Sequence, residues 1–122
     1  MKFTRFEDIQ AWQEARQLVS MVYAATNRSK DLSADLRFSS QLSSAAVSVM
    51  SNIAEGFARE TDKEFIRGLW ISKGSAAEVQ SLTYAAHDLG YLTEREREQI
   101  YSQAEKISRM LSGLITYLRS SQ

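Results

Sequence analysis

The sequence predicts an all-α fold, an antiparallel up-down-up-down four-helix bundle in which residues 1–122 form one domain. Three observations lead to it. There is no proline and the five glycines are scattered, so long helices can run unbroken. Helix starts are marked by Thr-x-x-Glu capping boxes, in which a threonine hydroxyl and a glutamate carboxylate satisfy orphan amides reciprocally. Apolar residues recur three and four positions apart, the period of one helix face, and no strand-like alternation of useful length competes. A chain of 122 residues can bury a core without disulfide or metal staples.

The first helix is expected near 7–27; Thr4 and Glu7 match a capping box, and the true start can lie a few residues later. Ile9, Trp12, Val19 and Tyr23 make one apolar row, and Ala11, Ala15, Leu18, Val22 and Ala25 an adjoining one. Together they are wider than the roughly 100° stripe a bundle helix needs, which points to a second burial partner. The second helix is expected near 34–58 with Ser33 as its N-cap, and Leu42, Ala45, Ala46, Val49 and Ile53 as its main apolar face. The third is expected near 62–89, between the Thr61–Glu64 box and Gly90, which can take the left-handed conformation that ends a helix. Its stripe is Phe65, Leu69, Ser72, Ala76, Val79, Thr83 and Ala86. The fourth is expected near 94–119, after the Thr93–Glu96 box, with Ile100, Ile107, Leu111, Leu114 and Leu118 recurring along it. The links are short, which favours antiparallel neighbours.

Composition excludes several functions. Without cysteine there are no disulfides and no thiolate metal sites. Fifteen basic residues balance fifteen acidic ones, which argues against a purely electrostatic nucleic-acid binder. The start, MKFTRFEDIQ, lacks the apolar run of a signal peptide, and no segment supplies the ~18 apolar residues of a membrane span, so a soluble cytoplasmic protein is expected. His87 is the single histidine, and Tyr84 stands three residues before it, so the Glu-x-x-His pattern of carboxylate-bridged metal bundles is absent. Its place near the end of the third helix fits a structural role at the negative end of the helix dipole. Glu55 and Glu78 have no cysteine or second histidine to work with, and no glycine-rich phosphate loop occurs. The expectation is a protein that is not an enzyme, with no cofactor and no metal.

The distinctive stretch is 38–54, FSSQLSSAAVSVMSNIA, which carries no charge. Opposite its apolar face lie Val47, Met50 and Ala54, while Gln41, Ser44, Ser48, Ser51, Asn52 and Glu55 share the remaining strip. A helix so lacking in charge is expected to be enclosed on nearly all sides, partly by its own bundle and partly by another copy. Ser48, Asn52 and Glu55 are expected to form a structural polar network with Ser75 and Glu78 of the third helix, because an unpaired buried polar group costs about 1–3 kcal/mol. Gly56 is expected to let a neighbouring element approach near the helix end. Gly74, in mid-helix, costs about 1 kcal/mol relative to alanine and reads as either close contact or tolerance. Trp12, Val47, Met50, Ala54, Ile66 and Trp70 are the candidate subunit contacts. Arg59, Lys63, Arg67 and Lys73, with Lys2 and Arg5, are the candidate nucleic-acid contacts, interleaved with Glu60, Asp62 and Glu64. The alternating run Glu94–Glu98 reads as a solvated face.

SVMSNIAEGFARE and WISKGSAAEVQSL resemble the signatures of the four-helix bundle proteins encoded by intervening sequences in bacterial large-subunit ribosomal RNA genes. FEDIQAWQEARQLVSMVY resembles that family's opening helix, including Trp12, and DLGYLT followed by KISRMLSGLITYL is similar to its closing part. The resemblance covers nearly the whole chain. It implies a bundle that assembles with itself as a ring-like homopentamer. A related protein, the accessory variability protein of diversity-generating retroelements, works with a reverse transcriptase and RNA; it is markedly basic, and this neutral chain departs from it. The expected function is a non-enzymatic homo-oligomeric scaffold or binding protein. The alternative is an RNA- or DNA-associated accessory protein of a retroelement-type reverse transcriptase.

Overall fold

A turn of 3-10 helix, Phe6–Asp8, leads into five α-helices in the computed structural model, which describes residues 3–120: α1 (Gln10–Arg28), α2 (Lys30–Ala34), α3 (Leu36–Ala58), α4 (Asp62–Asp88) and α5 (Glu94–Ser120). There is no strand among the described residues. The α5 start is the capping box in full: Thr93 Oγ1 accepts from the Glu96 amide at 3.1 Å, and the Glu96 carboxylate accepts from the Thr93 amide at 2.9 Å. At α4, Thr61 Oγ1 accepts from the Glu64 amide at 3.2 Å. Gly90, at φ +78°, ends α4 in the left-handed region as the sequence predicts.

One helix start is the later one that the sequence allowed, and another differs from expectation. The Thr4 hydroxyl donates to the Asp8 carboxylate instead of capping a helix, so α1 begins later, behind Ile9, which makes no side-chain cap. Ser33 is not an N-cap either; it lies inside the short α2, its hydroxyl donating to the Thr26 carbonyl. Ser29 caps α2, and Asp35 caps α3 by accepting from the Phe38 amide at 3.1 Å. A carboxylate there adds the attraction of the helix dipole to the cap bond, an advantage Ser33 lacks.

Asp35 has a second partner. The Tyr91 hydroxyl, from the turn after α4, donates to it at 2.7 Å, and the Tyr91 ring packs edge-on against Phe38 at 5.7 Å. The Tyr91 hydroxyl, then the Phe38 amide, hold the Asp35 carboxyl below the usual aspartate range. Any stability from a depressed carboxyl is present above its unfolded-state pKa and is lost as pH falls through the lower folded value. Tyr91→Phe is therefore expected to move the Asp35 titration up toward the ordinary range, as read by carboxyl NMR, and to shift the onset of acid unfolding to higher pH.

Among the long helices, α3 packs against α1 and α4, and α5 against α4 and α1. All the residues of the predicted α3 and α4 stripes are buried. Along α5 the stripe is Ile100, Ala104, Ile107, Leu111, Ile115 and Leu118, with Leu114 only half-buried. Two polar groups of the buried α4 stripe are satisfied: the Ser72 hydroxyl donates across to the Val49 carbonyl of α3 at 2.9 Å, and Thr83 donates to the Gln80 carbonyl of its own helix at 2.7 Å. Of the two α1 rows, the alanine-rich one is core. In the other, Ile9 is buried, Trp12 and Val19 are half-buried, and Tyr23 is exposed. No helix among the described residues is long and apolar enough to cross a membrane.

Candidate interaction surface along α3 and α4

The two central helices touch backbone to backbone. A Cβ added at Gly68 would stand 2.6 Å from the Asn52 carbonyl oxygen and 2.9 Å from Gly56 Cα; one added at Gly56 would stand 3.1 Å from Gly68 Cα. Gly56 thus admits a neighbour, as the sequence predicts, and the neighbour is Gly68. Gly74 has nothing within 4 Å of an added Cβ, so of its two readings tolerance is the right one.

This close approach brings hydroxyls together one to two turns further along. Ser48 Oγ and Ser75 Oγ are 2.8 Å apart, and Asn52 Nδ2 donates to both the carbonyl and the hydroxyl of Ser48 at 2.9 Å. The expected network thus gathers three of its five residues. Glu78 lies outside this chain, exposed on α4, where its carboxylate accepts from Gln41 Nε2 at 3.4 Å. Glu55 also lies outside it: its side chain is exposed and forms no hydrogen bond or ion pair. Asn52→Ala removes two half-buried bonds to Ser48, and a loss of about 1 kcal/mol is expected in urea denaturation.

Around the glycine crossing, Asn52, Glu55, Arg59, Arg67 and Ile71 border a cavity of about 160 Å³. On the other flank of α3, Tyr23, Ser44, Val47, Ser51 and Glu55 line a groove of about 390 Å³. The candidate subunit contacts divide into two groups. Trp12, Met50 and Ile66 pack against their own core, Trp12 edge-on to Phe6 at 5.0 Å, and Ala54 is half-buried. Val47 and Trp70 stay open, 37% and 48% exposed.

The candidate nucleic-acid contacts also divide. Arg59, Lys63 and Arg67 are exposed near the α3–α4 turn. Lys73 is turned the other way, into the α4–α5 seam, where its ammonium donates to the hydroxyls of Ser108 and Ser112. It also lies 5.7 Å from the Trp70 ring centroid, as does the Arg119 guanidinium. Arg5 pairs with Glu7 at 3.0 Å, and Lys2 lies outside the described residues.

Gly68 and Arg119 are the residues that sequence reasoning missed. Gly68 had a signal: it falls on the α4 core stripe between Phe65 and Ser72, where an apolar side chain is normal. Arg119 had none, because its neighbour Trp70 lies far away in sequence.

These features define a small all-helical protein whose distinctive polar contacts lie along the α3–α4 and α4–α5 seams. The chain belongs to the 23S rRNA-intervening sequence protein family, whose model matches residues 7–113. It is similar in fold to a crystal structure of a protein of unknown function from the S23 ribosomal protein family of Bacteroides thetaiotaomicron. The two chains are 20% identical, with a TM-score of 0.78 over 87% of this chain and 95% of that one. No curated protein matches the chain.

Proposed function

We propose that the chain is a non-enzymatic, cytoplasmic, homo-oligomeric scaffold or binding protein. Its subunit is an up-down-up-down antiparallel bundle of α1, α3, α4 and α5. The helix directions are supported by paired contacts. Ser48 meets Ser75 while Gly56 meets Gly68, and Lys73 meets Ser112 while Tyr84 meets Tyr101.

The observation that carries assembly is the outer face of α3. Ser40, Ser44 and Val47 are exposed there, Ser51 is half-buried beside them, and no charged residue occurs between Arg37 and Glu55. By contrast the exposed face of α5 carries Glu94, Arg95, Glu98, Lys106 and Arg109. Charged groups are depleted from the centres of protein interfaces because their water is costly to remove, whereas a valine, and serine hydroxyls that can turn back to bond a carbonyl of their own helix, are covered at lower cost. A second copy of the chain is the partner this strip fits.

Light scattering on a size-exclusion column tests it. A mass of several times 13.8 kDa is expected, with five copies the number that the family resemblance implies. A monomer at micromolar concentration would overturn the scaffold. The nucleic-acid alternative has less support, since Lys73 is committed to the α4–α5 seam and acidic residues interleave with Arg59, Lys63 and Arg67. RNA retention that falls steeply as salt rises would favour it instead.

A further inference from the structure

We propose that the α3 outer strip of one copy docks onto the α4–α5 seam around Trp70 of the next, so that copies join head to tail. This proposal rests on the assembly reading above and names its two faces.

Charge complementarity is the first support. Glu55 is the one charged residue of the exposed α3 strip beyond Arg37, and no cation pairs with it. Across the molecule, Lys73 and Arg119 both lie against Trp70, and neither has a carboxylate partner among the described residues. The acceptors of Lys73 are neutral oxygens of Ser108 and Ser112, which hold the ammonium without cancelling its charge. One face thus presents an uncharged strip that ends in an anion outside any ion pair, with Arg59 and Arg67 on the far side of the hollow it borders. The other presents two uncompensated cations around a half-exposed indole, a residue type enriched at the centres of interfaces.

The two faces stand at the same height along the helices. Ser48 opposite Ser75 and Gly56 opposite Gly68 set α3 against α4; Lys73 opposite Ser112 sets α4 against α5. On that scale Glu55 is level with the last turn of α5, where Arg119 lies, and Val47 and Ser51 are level with the stretch of α4 that carries Trp70 and Lys73. Copies can therefore join side by side without a step along the axis. Four helices at the corners of a rough square put these faces about 90–135° apart, a turn that closes a ring of roughly four to eight copies.

Charge reversal tests the contact. Glu55→Arg and Arg119→Glu alter exposed side chains, so helical circular dichroism is expected to remain that of the wild type. Each alone is expected to weaken association about tenfold or more in a light-scattering dilution series, by setting like charges against each other. E55R/R119E in one chain is expected to recover most of the loss, because the pair is restored with its signs exchanged. Trp70→Ala is expected to dissociate the ring without unfolding the subunit. A monomeric wild type would overturn the assembly reading itself. An assembled wild type whose single variants also assemble, or whose double variant is no better than the singles, would overturn these faces and leave assembly standing. Binding of single-stranded RNA that is lost in Trp70→Ala would assign the seam to nucleic acid and overturn the docking.

Discussion

Gly68→Ala is expected to destabilise the protein by about 2–3 kcal/mol, the net of two opposed effects. Alanine in mid-helix is favoured over glycine by about 1 kcal/mol, through helix propensity and a less flexible unfolded chain. Against this, the new methyl would stand 2.6 Å from the Asn52 carbonyl oxygen and 2.9 Å from Gly56 Cα. Both are backbone atoms, which cannot rotate away as the end of a side chain could. The helices must separate instead, and separation loosens Val49, Ile53, Leu69 and Ser72, all buried beside the crossing. Gly74→Ala is the internal control. With open space around it, only the propensity effect remains, and a gain approaching 1 kcal/mol is expected. Urea denaturation of the two variants beside the wild type decides the matter, and equal stability of all three would mean that the crossing relaxes freely.

Phe65→Ala is expected to cost about 3–5 kcal/mol, through lost burial and the cavity left behind. Phe65 is 1% exposed and packs edge-on against Phe57, with ring centroids 5.6 Å apart. It sits in the first turns of α4, next to the glycine crossing, where neighbouring backbone cannot move in to fill the space. For a domain with a typical total stability of about 5–15 kcal/mol, that loss brings the unfolded form into easy reach. The midpoint of urea unfolding should fall with little change in slope, because the surface exposed on unfolding is nearly the same. Phe57→Ala should cost less, since Phe57 is already half-exposed.

Helices α4 and α5 were legible in the sequence because a threonine, a glutamate and a stripe of apolar residues specify each of them locally. Where the signals competed, the sequence was less clear. Thr4, Ser29, Ser33 and Asp35 are all residue types that cap helices, and the choice of Asp35 depends on Tyr91, far along the chain, as well as on the Phe38 amide. The polar seam was legible in part. Ser48, Asn52 and Ser75 lie on facing sides of α3 and α4, and their spacing along each helix shows it. Glu55 and Glu78 share the residue type but not the direction, and a few tens of degrees of helix rotation separate a seam position from a solvated one. Lys73 counted as a surface charge in sequence; only the packing of α5 reveals that serine oxygens hold it.

The Gly56–Gly68 contact also acts as a spacer gauge. The distance between α3 and α4 sets how far the α3 strip is offset from the indole of Trp70, so one carbon atom inserted in the interior would rotate the outer surfaces relative to each other. A substitution at Gly68 that the fold survives would then be read twice: once as a lower unfolding midpoint and, under the proposed docking, again as copies that meet at an altered angle.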